Sequence, residues 1–198
     1  KTEEKILNAA IKIFTEKGYS AATTSEIAKE AGIAEGTIFR YFSKKKEILH
    51  SVVYKFLDTF AESIVFDSLY EIINENQDNS MKELLKIIAL DRIKLFKSHF
   101  PYAHILFNEM QYHEDIRKLF LDKIMANVFD IAKLIFKEGQ KRGEFKDIDP
   151  IIGVRSFMGM LGFMFMQRRF MPEYNVYNSL EEEIEALIDL YFDGISNK

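Results

Sequence analysis

Residues Lys5–Leu49 read KILNAAIKIFTEKGYSAATTSEIAKEAGIAEGTIFRYFSKKKEIL, and the punctuation of this stretch decides the fold. Ile6, Ala10, Ile13 and Phe14 recur at helical spacing, which predicts a first helix from about Thr2 to Lys17. Gly18 follows as a C-terminal stop. Thr23 and Glu26 have the spacing of a capping box, in which the threonine side chain satisfies the backbone N–H three residues on. A short helix over Thr24–Ala31 follows, then the Gly32-Ile33 turn, then a second short helix over Ala34–Tyr41. Two short helices joined by a glycine turn are a helix-turn-helix, whose second helix can enter a DNA major groove. The same pattern also suits a plain helical hairpin.

Three details favour the DNA-binding reading. Phe39, Arg40 and Tyr41 crowd the end of the second helix, where one turn cannot bury all three. Lys44, Lys45 and Lys46 sit in the first turn of the next helix, where the macrodipole disfavours each exposed cation by about 0.3–1 kcal/mol. A phosphate would explain that placement, since it attracts both lysines and helix N-termini. Thr24, Thr37 and Tyr41 add hydroxyls suited to phosphate oxygens.

On these residues, Lys5–Leu49 resembles the N-terminal domain of the TetR/AcrR family of transcriptional regulators. The resemblance covers about a quarter of the chain and implies a homodimeric repressor with an effector-binding C-terminal domain. It makes Thr24, Phe39, Tyr41 and Lys45 the expected phosphate contacts, flanked by Lys44 and Lys46. Ser25, Glu35, Gly36, Thr37 and Arg40 fall at positions that face bases or nearby phosphates. Two departures stand out. Phe39 replaces the commoner tyrosine and loses a hydroxyl contact. Glu35 sits where a neutral or basic residue is usual; it would repel phosphate but could accept from a cytosine amino group.

The charge is uneven. Residues 1–50 hold nine Lys/Arg and seven Glu, whereas residues 51–198 hold eighteen Lys/Arg and twenty-four Asp/Glu. The whole chain is acidic, with a pI near 5.7, but RYFSKKK at residues 40–46 carries four positive charges and no negative one. A local patch of that kind can govern contact with a phosphate backbone. Fifteen of the eighteen Phe and all eight Met lie beyond residue 50. We therefore expect a helix-turn-helix domain over 1–50 and a helical effector-binding and dimerisation domain over 51–198.

With only three Pro and nine Gly in 198 residues, long helices are favoured and a turn-rich β-sandwich is not. The fold class expected is all-α, with about nine helices. Beyond the head they run from Ser43 toward Ile73, Ser80–His99, Pro101–Met110, Glu114–Arg142, Pro150–Phe170 and Ser179–Phe192. No apolar run is long enough to span a membrane, and the charged start Lys1-Thr2-Glu3-Glu4 is unlike a signal peptide. Cysteine is absent, which excludes disulfides and thiolate chemistry. A cytoplasmic location without membrane contact is the expectation.

Polar chemistry is thin beyond residue 50. His50, His99, His104 and His113 lack the i, i+4 spacing of a helical metal pair, so no metal and no cofactor are expected. No catalytic nucleophile motif or Gly-rich phosphate loop occurs, and the chain is not expected to be an enzyme. Phe157–Met166 (FMGMLGFMFM) is apolar around the whole helix, so one face should meet the core and another a second chain. The expected dimer residues are Met158, Leu161, Gly162 and Phe165, with Ile184, Leu187 and Tyr191 of the last helix. Gly153, Gly159 and Gly162 are read as close-packing positions. The aromatic surplus suggests an apolar effector cavity lined by Phe96, Phe107, Met110, Phe129 and Phe163, with Arg92 and Asn108 as polar groups. Phe136, Glu109 and Gln111 are further candidates near it.

The expected function is therefore that of a ligand-responsive DNA-binding regulator, a repressor released from a palindromic operator by a small apolar or amphipathic effector. The alternative is an all-helical enzyme or carrier for a lipophilic molecule, with the head incidental. Salt-dependent DNA binding separates the two.

Overall fold

The structure, a computed structural model, describes residues 1–60 and 66–195. Among the described residues every regular element is helical. Eleven α-helical segments run α1 Thr2–Lys17, α2 Thr24–Ala31, α3 Glu35–Ile38, α4 Lys45–Phe60, α5 Ser68–Glu75, α6 Met81–Ser98, α7 Phe100–Glu109, α8 Glu114–Phe120, α9 Ala126–Lys141, α10 Pro150–Phe170 and α11 Leu180–Ile195. A five-residue π turn, Leu121–Met125, joins α8 to α9, so the single helix expected over 114–142 carries an irregular stretch. The rod expected from Ser43 toward Ile73 is found as α4 and α5; residues 61–65 of it lie outside the described residues.

Packing groups the chain into two compact units. The first comprises residues 1–66 with 98–124, the second residues 67–97 with 125–198. This division is not the one at residue 50, because α7 packs on α1 and α4 and joins the N-terminal helices. Sequence contiguity gives no hint of such a return.

In the first unit the core is built from α1, α2 and α4. Ile6, Ala10, Ile13 and Phe14 of α1 are buried with Ile27 and Ala28 of α2, Ile38 and Phe42, and Ile48, Leu49, Val52 and Val53 of α4. Each fully buried Ile or Leu contributes about 1.5–3 kcal/mol relative to exposure. The second unit is built around α6, α9, α10 and α11. Gly153 of α10 is a true close approach: a Cβ there would stand 1.9 Å from the Phe136 ring. Gly159 and Gly162 meet nothing within 4 Å, so their expected close packing does not occur within the protomer. Asp149 caps α10 by accepting from the Ile151 N–H at 2.8 Å, with Pro150 in the first turn.

Candidate DNA interface and effector body

The two short helices form as their signals require. Thr23 Oγ1 accepts from the Glu26 N–H at 3.2 Å, and the Glu26 carboxylate accepts from the Thr23 N–H at 3.1 Å. Ion pairing with Lys17 and the bonds from Thr23 hold the Glu26 carboxyl below its ordinary range. Gly32 ends α2 with φ +67, a left-handed conformation that favours glycine. α3 is regular only over Glu35–Ile38, and turn bonds carry it on through Phe42: Tyr41 N–H to Ile38 O and Phe42 N–H to Ile38 O, both 2.9 Å.

Ile38 and Phe42 turn inward. Phe39, Arg40 and Tyr41 therefore turn outward, and Phe39 is 51% exposed. Ser25, Glu35, Gly36 and Lys44 are exposed, while Thr24 and Thr37 are half-buried. The result is an outward face of hydroxyl, aromatic and basic groups on one short helix and its flanks. Among the described residues, Arg40 and Lys44 are engaged in no side-chain hydrogen bond or ion pair, which leaves both cations available to phosphate.

Four members of the expected DNA set, Thr24, Glu35, Lys45 and Lys46, have partners inside the protein. Thr24 Oγ1 donates to Glu35 Oε1 at 2.6 Å, bridging the first turns of α2 and α3. Lys46 lies 3.4 Å from the Asp115 carboxylate. Lys45 is the plainest case. Its ammonium donates to the carbonyls of Tyr19 (2.7 Å), Ser20 (3.3 Å) and Ala22 (2.7 Å), and sits 4.5 Å from the centre of the Tyr19 ring. An ammonium has three donors, and all three are used. In this structure the Lys45 ammonium is thus tethered to the α1–α2 turn. Carbonyls that fold back from 23–26 residues earlier leave no local signal beside the lysine run.

The expected effector residues are divided between the two units. Phe107, Asn108 and Met110 belong to the first; Arg92, Phe96, Phe129 and Phe163 belong to the second. In the first, Phe107 meets Phe120 edge-on at 5.7 Å and Asn108 lies 3.1 Å from His104 Nε2. In the second, Phe96 meets Phe165 edge-on at 4.6 Å. Arg92 donates to Ser68 Oγ at 2.7 Å and to Asp91. Phe129 is half-buried. Phe163 is 63% exposed on α10. Phe136 belongs to the core, against Gly153 and Phe145. An open cleft of about 480 Å³ occurs elsewhere, lined by Lys46, Tyr112, His113, Glu114, Asp115 and Lys118. Most of its lining residues are charged, and none of the expected effector residues is among them.

The dimer set also sorts by burial. Leu161, Ile184 and Tyr191 lie in the protomer core, and the Tyr191 hydroxyl donates to Gly153 O at 2.8 Å. Burial pushes that phenol up to about 12. Met158, Phe165 and Leu187 are half-buried, and Gly162 is exposed. What α10 leaves outward is a stripe at helical spacing: Ile152, Gly159, Phe163, Met166 and Phe170. Among the described residues this side of α10 is left uncovered, and the sequence reading gave one face of the helix to a second chain.

No group of acidic or histidine side chains among the described residues is arranged to hold a metal ion. No helix among them is long and apolar enough to cross a membrane.

Comparison with known proteins agrees with this geometry. The family model described as bacterial regulatory proteins, tetR family, matches residues 6–52. A fatty acid metabolism regulator protein of Bacillus subtilis is 29% identical over 143 residues, covering 72% of this chain and 70% of that protein. The crystal structure of the transcriptional regulator FadR from Bacillus subtilis in complex with stearoyl-CoA superposes with a TM-score of 0.71 at 24% identity, over 97% of this chain and 98% of that one. A transcriptional regulator from Saccharomonospora viridis in complex with choline superposes with a TM-score of 0.73 at 20% identity, over 99% of this chain and 98% of that one. At these identities the two structures speak to the fold.

Proposed function

Because residues 6–52 match the tetR family of bacterial regulatory proteins, we propose that this chain is a homodimeric repressor of that family, released from a palindromic operator by an amphipathic small molecule. The observation that carries the reading is the outward face of Phe39, Arg40, Tyr41 and Lys44 beside a capped helix-turn-helix. Residues 1–50 act as the DNA head and residues 51–198 as the effector and dimer body. On the head, Arg40 and Lys44 supply the phosphate-seeking charge, with Thr37 and Tyr41 as hydroxyl contacts. Ser25, Glu35 and Gly36 lie nearest the base edges. Lys45 and Lys46 act from behind, by fixing the start of α4.

The exposed α10 stripe supports the dimer. Contiguous apolar surface of this kind marks an interaction site, and a two-fold contact through it sets two heads on one duplex. Half-sites one helical turn apart, about 34–36 Å, are the geometry such a dimer reads. The effector class rests on the Phe- and Met-rich body and on the likeness to a fatty acid metabolism regulator. A long-chain acyl-CoA combines an apolar chain with a charged head and is the first molecule to test.

The experiment is selection from random duplexes by the purified protein, followed by binding of the recovered sequence as salt is raised. A palindromic consensus is expected, with log affinity falling linearly with log salt as phosphate contacts release counterions. Failure to enrich any duplex favours the carrier or enzyme reading instead.

A further inference from the structure

Among the described residues, Glu109 is the single charged side chain that is buried, at 8% exposure. It ends α7, and α7 packs on α1 and α4. Its carboxylate accepts from the Tyr19 backbone N–H and lies 3.5 Å from His113 Nε2. The Tyr19 ring packs edge-on against the rings of Phe14 (5.5 Å) and His113 (5.8 Å). Lys45 holds the same turn from the other side, through the Tyr19, Ser20 and Ala22 carbonyls. The α1–α2 turn is therefore clamped between a cation from α4 and an anion from α7.

A second contact runs in parallel. Asp115, near the start of α8, lies 3.4 Å from Lys46 and 3.1 Å from His50 Nε2, both on α4. Burial works to raise the Asp115 carboxyl, but the Ile116 N–H, His50 and Lys46 outweigh it and hold it low.

The position of the clamp matters for DNA. The clamped turn delivers Thr23, which caps α2, then Thr24 and Ser25. The clamped end of α4 carries Lys44 just ahead of it. These two points flank α3 in the chain, so whatever fixes them fixes how the recognition helix is presented. Among the described residues no side-chain hydrogen bond or ion pair links Glu109 to Phe39, Arg40, Tyr41 or Lys44.

Stability alone gives a poor account of Glu109. Burial lifts its carboxyl above the ordinary range, against the opposing pull of His113, the Tyr19 N–H and Lys45. A carboxyl with a raised folded-state pKa contributes stability while protonated and loses it as pH rises through that value. At neutral pH, the ionised form costs the fold.

We propose that Glu109, acting through Tyr19 and Lys45, is a positioning residue for DNA binding: it locks the α1–α2 turn and the start of α4 in the pose that presents α3 to the groove. This rests on the DNA-binding reading above, and the test separates the two.

Glu109→Gln keeps the size and one acceptor oxygen but removes the charge that faces Lys45 and His113. Wild type and variant are compared on the duplex selected by wild type, by fluorescence anisotropy at several salt concentrations, with melting temperatures measured alongside. The expected result is a melting temperature equal to or above wild type, affinity about tenfold weaker, and an unchanged salt slope, since no phosphate contact is lost. Lys45→Met, which keeps the stem and deletes the ammonium, should give the same weaker affinity and unchanged slope. A wild-type chain that selects no duplex sinks the DNA-binding reading, and this proposal with it. Wild-type binding with Glu109→Gln within twofold of it overturns the proposal alone. So does an affinity loss that comes with a lower melting temperature, which would make Glu109 part of the fold's stability instead.

Discussion

At the residue scale, the lysine run at 44–46 shows how one sequence signal divides into different jobs. Three adjacent cations at a helix start suggested three phosphate contacts. In the fold only Lys44 points outward without an ion pair, while Lys45 binds turn carbonyls and Lys46 meets Asp115. The two kinds of lysine should separate experimentally. Lys44→Ala should weaken binding to every duplex and reduce the salt slope by about 1, the signature of one lost phosphate contact. A slope equal to wild type would remove Lys44 from the interface. The caps and stops were legible residue by residue, because Thr23, Glu26, Gly32, Asp149 and Pro150 act through backbone groups only a few positions away. The Lys45 tether and the Glu109 clamp were not. Their partners are brought together by tertiary packing across 26 and 90 residues, and no local pattern encodes that.

At the scale of elements, helix identity was the most legible feature, and helix continuity the least. α1 and α2 run over Thr2–Lys17 and Thr24–Ala31, as their periodicity and caps indicate. The π turn at Leu121–Met125 leaves the apolar spacing intact and so left no mark in the sequence. The Phe157–Met166 segment of α10 is apolar on all sides, which suggested two burial surfaces but not which residues faced which. Burial now distinguishes them. Leu161 is 7% exposed and Phe163 63%. Phe163→Glu should therefore yield a folded monomer that has lost operator affinity, whereas Leu161→Glu should unfold the protomer by leaving a charge buried without a partner. Sedimentation and circular dichroism of the two variants check this. A dimeric Phe163→Glu protein would move the interface away from the outward stripe of α10.

At the scale of the whole molecule, the proposed regulator joins a DNA head to a body for an amphipathic effector. The head was legible because its chemistry is concentrated in one short segment, Thr23–Lys46. The effector site was not, since its expected residues are common core types, and the fold uses one candidate, Phe136, for packing. Coupling between ligand and operator is a free energy and is reciprocal: whatever weakens DNA binding must itself bind more weakly to the DNA-bound protein. Ligand can release DNA only by favouring a protein geometry that fits the operator less well. The most direct measurement is therefore the affinity of the purified protein for its selected duplex, by anisotropy, with and without saturating stearoyl-CoA. The account predicts an affinity about 5–150-fold weaker with the ligand bound, and a matching loss of ligand affinity when duplex is present. Equal duplex affinity with the ligand demonstrably bound would contradict it.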